Sequence, residues 1–168
     1  MAEGTVSRGA VMLAAGGTGG HLFPAQALGE ELIRLGYEVD LITDTRGNVF
    51  GADFPARKLY KIPAATFRGR SPIEATKTLG TLGHGFQAAY RIMGEAAPRA
   101  IIGFGGYPTL APLLAAIGRG IPSAIHEQNS VMGQANRFLA PMVKIIACAF
   151  EKTKYVEGKL LAKVRVTG

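Results

Sequence analysis

The chain has 168 residues, of which 48% are hydrophobic and 18% charged, a balance typical of one globular domain with a sizeable core. Its 19 basic and 12 acidic residues give a net charge of +7, which favours an anionic partner such as a phosphorylated substrate or a lipid headgroup. No apolar run is long enough to span a bilayer, and the single cysteine, Cys148, excludes an internal disulfide. No RNA-binding aromatic motif is present, so nucleic acid is the weakest candidate partner.

A glycine-rich turn is the first motif along the chain. A buried strand is predicted over 10–15, and Gly16-Gly17-Thr18-Gly19-Gly20-His21 follows it. Pro24 predicts the first turn of a helix that continues through 25–32. A glycine turn at a helix N-terminus brings backbone N–H groups close to an anion, so we expect a phosphate or pyrophosphate site. The turn lacks the Lys-Ser/Thr of a P-loop and the third glycine of a dinucleotide fingerprint, and a turn that serves packing alone is the alternative.

His21 directly follows these glycines, where the helix dipole disfavours an imidazolium. We therefore expect a neutral imidazole that can accept a proton. Helix capping or hydrogen bonding to a ligand is the alternative role for this side chain.

Strands and helices alternate along the rest of the chain. After a helix C-cap at Leu35-Gly36, strands are predicted over 37–43, 57–62, 100–104, 122–126, 143–147 and 164–166. Further helices are predicted over 72–95, 110–117, 132–139 and 151–161, and Gly80, Gly83 and Gly85 weaken the first of these enough to permit a break. This alternation predicts an α/β fold, a doubly wound and mostly parallel Rossmann-like sheet, in a single domain over residues 1–168.

Three glycine-rich or polar loops, 16–21, 105–107 and 126–129, each follow a predicted strand. Because the carboxyl ends of parallel strands meet at one edge of a sheet, we expect these loops to line one crevice. Asp44 lies about where a dinucleotide-binding domain carries its ribose-binding acid, so a nucleotide-dependent oxidoreductase is an alternative function.

Together, Gly16-Gly17-Thr18-Gly19-Gly20-His21, Gly105-Gly106-Tyr107 and His126-Glu127-Gln128-Asn129 closely resemble the amino-terminal half of the MurG glycosyltransferases, and the resemblance covers nearly the whole chain. That family has two Rossmann-like domains in the GT-B arrangement. The resemblance implies that this chain is the acceptor-binding domain, and that the carboxy-terminal, donor-binding domain would follow Gly168.

The resemblance further implies an inverting transfer of N-acetylglucosamine from UDP-N-acetylglucosamine to the muramoyl C4 hydroxyl of lipid I. The product is lipid II, for peptidoglycan synthesis. No cofactor and no obligatory metal are implied. The expected location is the cytoplasmic face of the bacterial inner membrane, as a peripheral protein, and the domain is expected to be inactive alone.

Individual roles follow from the matched motif positions. His21 is the candidate base, with Glu127 as the alternative. The donor is expected to contact Thr18, Gly19, Gly20 and Asn129. The acceptor is expected to contact Gly17, His21, Gly105, Gly106, Tyr107, Glu127 and Gln128.

Basic and apolar side chains around the start of the long helix predict contact with an anionic membrane surface. They are Phe67, Arg68, Arg70, Ile73, Lys77, Leu79 and Leu82. For Leu82 and Phe86 we favour packing against the sheet instead, and a solvated loop is the alternative for Arg68 and Arg70.

Two other functions are compatible with the motifs. One is an acceptor-side subunit that pairs with a separate donor-binding chain, and the other is a non-catalytic binding module.

Overall fold

The computed structural model describes residues 7–44, 54–64 and 72–167, and within 72–79 it describes the backbone alone. The strands are β1 (Ala10–Ala14), β2 (Glu38–Thr43), β3 (Lys58–Lys61), β4 (Ala100–Gly103), β5 (Ser123–Glu127), β6 (Ile145–Cys148) and β7 (Val164–Val166). The helices are α1 (Gly19–Arg34), α2 (Pro72–Ala96), α3 (Leu110–Gly118) and α4 (Gln134–Leu139), with short 3-10 turns at Tyr107–Thr109 and Gly158–Lys163.

All seven strands pair in parallel, in the order β3-β2-β1-β4-β5-β6-β7. The chain steps outward from β1 to β3 and then returns to the other side of β1 with β4, so the order reverses between β1 and β4. The predicted doubly wound parallel sheet is confirmed. In such sheets ligands bind outside the carboxyl ends of the strands at the point of reversal, which here brings the first two glycine turns together.

Strand β1 is buried along its whole length, and its alternating side chains divide the core into two layers. Leu13 packs in one cluster with Leu22 of α1. Met12 packs on the other face, in a cluster with Met93 of α2 and Leu113 of α3. Helices cover both faces of the sheet, which explains why the central strands are apolar on both sides.

The first helix begins earlier than its sequence predicts. Gly19 and Gly20 are already helical, because Thr18 takes the N-cap position with an extended backbone (φ −114°, ψ 147°). Pro24 therefore lies inside α1 rather than in its first turn. The predicted C-cap is confirmed, since Gly36 has a φ of +84° and its N–H donates to the carbonyl of Ile33 at 2.9 Å.

Two other predictions about helices differ from the structure, and a break that the sequence permitted in a third helix does not occur. The helix predicted over 151–161 is wrong, because Tyr155 (φ 73°) and Gly158 (φ 58°) take left-handed conformations and leave only a 3-10 turn. Helix α4 starts at Gln134 rather than at 132, because Gly133 takes the N-cap position with an extended backbone (φ −65°, ψ 157°). Helix α2 is unbroken at its glycines.

Gly85 has a packing role that explains its place in α2. A Cβ atom there would lie 2.4 Å from the carbonyl oxygen of Pro63, whereas one at Gly83 would meet nothing within 4 Å. Both alanine variants gain about 1 kcal/mol of helix propensity, so the overlap at residue 85 should make Gly85→Ala less stable than Gly83→Ala by about 1–3 kcal/mol. Parallel urea unfolding of the two variants measures this difference, and equal stabilities would contradict the close packing.

Candidate functional site

His21 lies in the first turn of α1, and its imidazole is enclosed by glycine backbone. Its Nδ1 is 2.9 Å from the hydroxyl oxygen of Thr18. A Cβ atom at Gly16, Gly105 or Gly106 would lie 3.3 or 3.4 Å from an atom of the ring. Gly105 and Gly106 also have φ values of +87° and +78°, which favour glycine. The two glycine turns therefore make room for this one side chain, a role that sequence analysis did not assign to them.

Partial burial lowers the pKa of His21 below its ordinary value of 6.5, and the nearby charge of Glu127 acts in the opposite direction. The ring is thus predominantly neutral at pH 7. A neutral imidazole was predicted from the helix dipole, but in the structure the first cause is loss of solvent. The same two influences act, in the same order, on the pKa of His126.

Glu127 ends β5 and is only 1% exposed. Both its oxygens accept hydrogen bonds from the protein. Oε1 accepts from the backbone N–H and the side-chain amide of Asn129, both at 3.0 Å. Oε2 accepts from the N–H of Gly133 at 3.0 Å and from the side-chain amide of Asn136 at 2.9 Å. Four N–H donors therefore surround the carboxylate, which favours a structural role for it over proton transfer.

A cavity of about 240 Å³ opens beside the His21 ring. Seven of its lining residues are predicted site residues, namely His21, Gly105, Gly106, Tyr107, Glu127, Gln128 and Asn129. The other predicted residues, Gly17, Thr18, Gly19 and Gly20, are not part of this lining and lie at the start of α1.

The cavity also has a wall that the sequence did not reveal, formed by Gly133, Gln134, Ala135 and Asn136 at the start of α4. The hydroxyl of Tyr107 donates to Oε1 of Gln134 at 2.6 Å, which joins this wall to the second glycine turn. The sequence feature that could have indicated this wall is the pair of polar residues Gln134 and Asn136, which lie in a short helix soon after the His126-Glu127-Gln128-Asn129 segment.

An apolar groove of about 520 Å³ adjoins the cavity and shares Tyr107, Gln134 and Ala135 with it. Its remaining lining comes from α2, α3 and α4, namely Leu82, Phe86, Leu110, Ala111, Leu114 and Phe138. The expectation that Phe86 packs against the sheet is wrong, since its side chain is 39% exposed. Of the predicted membrane contacts, Phe67, Arg68 and Arg70 lie outside the described residues, as do the side chains of Ile73, Lys77 and Leu79.

Within the described ranges, no group of three or more His, Cys, Asp or Glu side chains is arranged to hold a metal ion. None of the helices in those ranges has the length and apolar character needed to cross a membrane. Asp44 is 3% exposed, so little of its carboxylate is accessible to a nucleotide ribose.

Comparison with known proteins decides the family. The glycosyltransferase family 28 N-terminal domain matches residues 11–148. The chain belongs to this family. Two relatives of the chain share the name UDP-N-acetylglucosamine--N-acetylmuramyl-(pentapeptide) pyrophosphoryl-undecaprenol N-acetylglucosamine transferase. The one from Rhizobium meliloti is 49% identical over 97% of the chain and 43% of the relative. The one from Rhodopseudomonas palustris is 51% identical over 94% of the chain and 43% of the relative.

Solved structures agree with this family. The crystal structure of Acinetobacter baumannii MurG superposes with a TM-score of 0.76 and 32% identity, over 86% of the family 28 domain and 43% of that chain. A UDP-GlcNAc 2-epimerase from Neisseria meningitidis, at 17% identity and a TM-score of 0.67 over 95% of this chain and 46% of its own, shares the fold alone. The resemblance to MurG and the amino-terminal GT-B fold are thereby confirmed. The chain spans less than half the length of the relatives it matches.

Proposed function

We propose that this family 28 domain is the acceptor-binding half of an inverting N-acetylglucosaminyltransferase, inactive without its donor-binding half. The donor is UDP-N-acetylglucosamine, and the acceptor is the muramoyl C4 hydroxyl of lipid I. Three facts support the proposal: the family match, the names of the relatives, and the MurG structure. The observation that carries the mechanism is the half-buried imidazole of His21, held beside a cavity where the sheet order reverses.

In the proposed reaction, the acceptor hydroxyl oxygen forms a bond to the anomeric carbon of the donor while the bond from that carbon to UDP breaks. The hydroxyl proton passes to Nε2 of His21, and UDP leaves with the electron pair. Thr18 supports this assignment, because its hydroxyl lies 2.9 Å from Nδ1. If Nδ1–H donates to that oxygen, the lone pair lies on Nε2. The charge of Glu127, which raises the pKa of His21, favours the imidazolium that forms.

Substrate contacts follow the two sides of the cavity. We assign the donor to Thr18, Gly19, Gly20 and Asn129. Of these, Gly19 and Gly20 lie in the first turn of α1, where backbone N–H groups have no partner within the helix and can face a pyrophosphate. The acceptor is assigned to Gly17, Gly105, Gly106, Tyr107, Glu127 and Gln128. The side chain of Gln128 is fixed beside the cavity, because its Nε2 donates to the carbonyl of Phe104 at 2.9 Å. The reaction on this assignment needs no metal and no cofactor.

Transfer of radiolabelled N-acetylglucosamine to a short-chain lipid I analogue tests the function in the full-length protein that contains this chain. Stoichiometric release of UDP with formation of a disaccharide product supports it. Hydrolysis of the donor without transfer, or no reaction with a folded protein, would contradict it.

The apolar groove next to the cavity suits the polyprenyl part of the acceptor at a bilayer surface, and Leu82 and Phe86 lie on its rim. We place the enzyme as a peripheral protein on the cytoplasmic face of the inner membrane, with the +7 chain attracted to anionic lipid.

Phe86→Ser should therefore weaken binding to phosphatidylglycerol vesicles in low salt by about threefold or more, because it removes apolar contact with the lipid. Co-sedimentation measures this change. Leu161→Ser, which alters a side chain 59% exposed in the 3-10 turn before β7, is the matched control and should bind as the wild type does. Equal binding by all three proteins would remove the groove as a membrane contact.

A further inference from the structure

Asn136 lies in α4 and is 2% exposed, and it belongs to the wall of the cavity that the sequence did not reveal. Its side-chain amide donates to the carbonyl of His126 at 3.0 Å and to Oε2 of Glu127 at 2.9 Å. Both partners are acceptors, so the orientation of this amide is fixed by the hydrogen bonds it makes. Substitution of this side chain by alanine would remove the hydrogen bond to the carbonyl of His126 and one of the two hydrogen bonds to Oε2 of Glu127.

Glu127 links the buried Asn136 to the exposed Asn129, because its carboxylate accepts hydrogen bonds from both side chains. Its Oε1 accepts from both the backbone N–H and the side-chain amide of Asn129, each at 3.0 Å. Asn129 itself is exposed and lines the cavity. Because the NH₂ end of its amide is held by the carboxylate, the oxygen end is left to face a ligand. The site then offers Asn129 as a hydrogen-bond acceptor, which selects a ligand O–H or N–H group.

We infer that Asn136 is a positioning residue that acts through Glu127 to fix the amide of Asn129 as an acceptor for a sugar hydroxyl or amide N–H of the substrate. The kinetic consequence rests on the proposed function, whereas the hydrogen-bonded chain from Asn136 to Asn129 does not. A residue that does not touch the ligand can still affect its binding. A buried carboxylate keeps its position because donors such as Asn136 hydrogen-bond to it, and that carboxylate in turn orients the residue that contacts the ligand.

A double-mutant cycle in the full-length protein tests this chain of contacts. Asn136→Ala should lower kcat/KM by about tenfold in the wild-type background and by less than about twofold in the Asn129→Ala background, because Asn136 acts through Asn129. Ser123→Ala, which alters a buried polar residue at the other end of β5, is the control for a general loss of stability and should leave kcat/KM unchanged. An equal loss in both backgrounds would overturn the inference.

The side-chain amide resonances of Asn129 in the chain provide a second readout that needs no activity. Glu127→Gln and Asn136→Ala should both shift them, and Ser123→Ala should not. Unchanged Asn129 resonances in both site variants would also overturn the inference. If the wild-type protein transfers no sugar, the proposed function fails by itself, and these resonances still decide whether Asn136 positions Asn129.

Discussion

Replacing His21 with alanine in the full-length protein should lower kcat by about a hundredfold or more, because it removes the group that accepts the hydroxyl proton. The loss should appear in kcat more than in KM, since the imidazole acts chiefly in the transition state. Initial rates of UDP release at saturating lipid I analogue measure the effect. His84→Ala, an exposed histidine on α2, is the matched control and should retain activity within about twofold of the wild type.

The pH dependence gives a second test of the same residue. Because burial lowers the pKa of His21, the acidic limb of kcat/KM should lie below pH 6.5, the ordinary value for histidine. Glu127→Gln removes the charge that raises this pKa, so it should move the acidic limb to lower pH still. A limb above pH 6.5, or near-normal turnover by His21→Ala, would remove His21 as the base.

Substituting Gly105 with alanine should lower activity by about tenfold or more while the protein stays folded. The new Cβ would lie 3.4 Å from Nε2 of His21 and 3.4 Å from the side-chain amide of Asn136, so these groups must give by a few tenths of an ångström. Even a small shift of a catalytic group lowers the rate, because the reaction depends on the alignment of the reacting atoms.

Gly120→Ala is the matched control for the backbone strain. Gly120 has a φ of +72°, close to the +87° of Gly105, but a Cβ there meets nothing within 4 Å. Both variants should lose about 1–2 kcal/mol of stability to the left-handed conformation, and only Gly105→Ala should lose activity beyond this. Equal kinetics in the two variants would show that Gly105 does not position His21.

The sequence predicted the sheet well, because the spacing of apolar residues and the glycine, proline and polar residues between the apolar runs are local features of the sequence. All seven strands were predicted, the central ones from buried apolar runs and the largely exposed β3 and β7 from short runs near Pro63 and before Gly168. The glycine and polar turns after β1, β4 and β5 predicted the crevice. The helix limits were less predictable. Nothing local distinguishes Gly19 as a helical residue. Nothing local predicts the left-handed Tyr155 that prevents a helix after β6 either; its ring lies 3.8 Å from the guanidinium of Arg137 in α4, a contact that exists only in the folded chain.

The sequence predicted seven of the residues that line the cavity, but not the geometry of that cavity. The motif around Glu127 suggested a carboxylate available for chemistry, whereas two of its four hydrogen bonds come from Gly133 and Asn136, which lie beyond the motif. Likewise, the position of the His21 ring depends on glycines that are about 90 residues apart in the chain and meet only because β1 and β4 are neighbours. Contacts between residues so far apart in the chain cannot be predicted from local sequence patterns, because only the folded sheet brings them together.

The most direct measurement is an NMR titration of this chain with a short-chain lipid I analogue, UDP-N-acetylglucosamine and NADH, each added separately. Saturable shifts at His21, Tyr107 and Asn129 with the lipid I analogue, and little response to NADH, are the result expected of an acceptor-binding domain. Saturable binding of NADH without any response to the analogue would contradict it and would favour a nucleotide-dependent oxidoreductase.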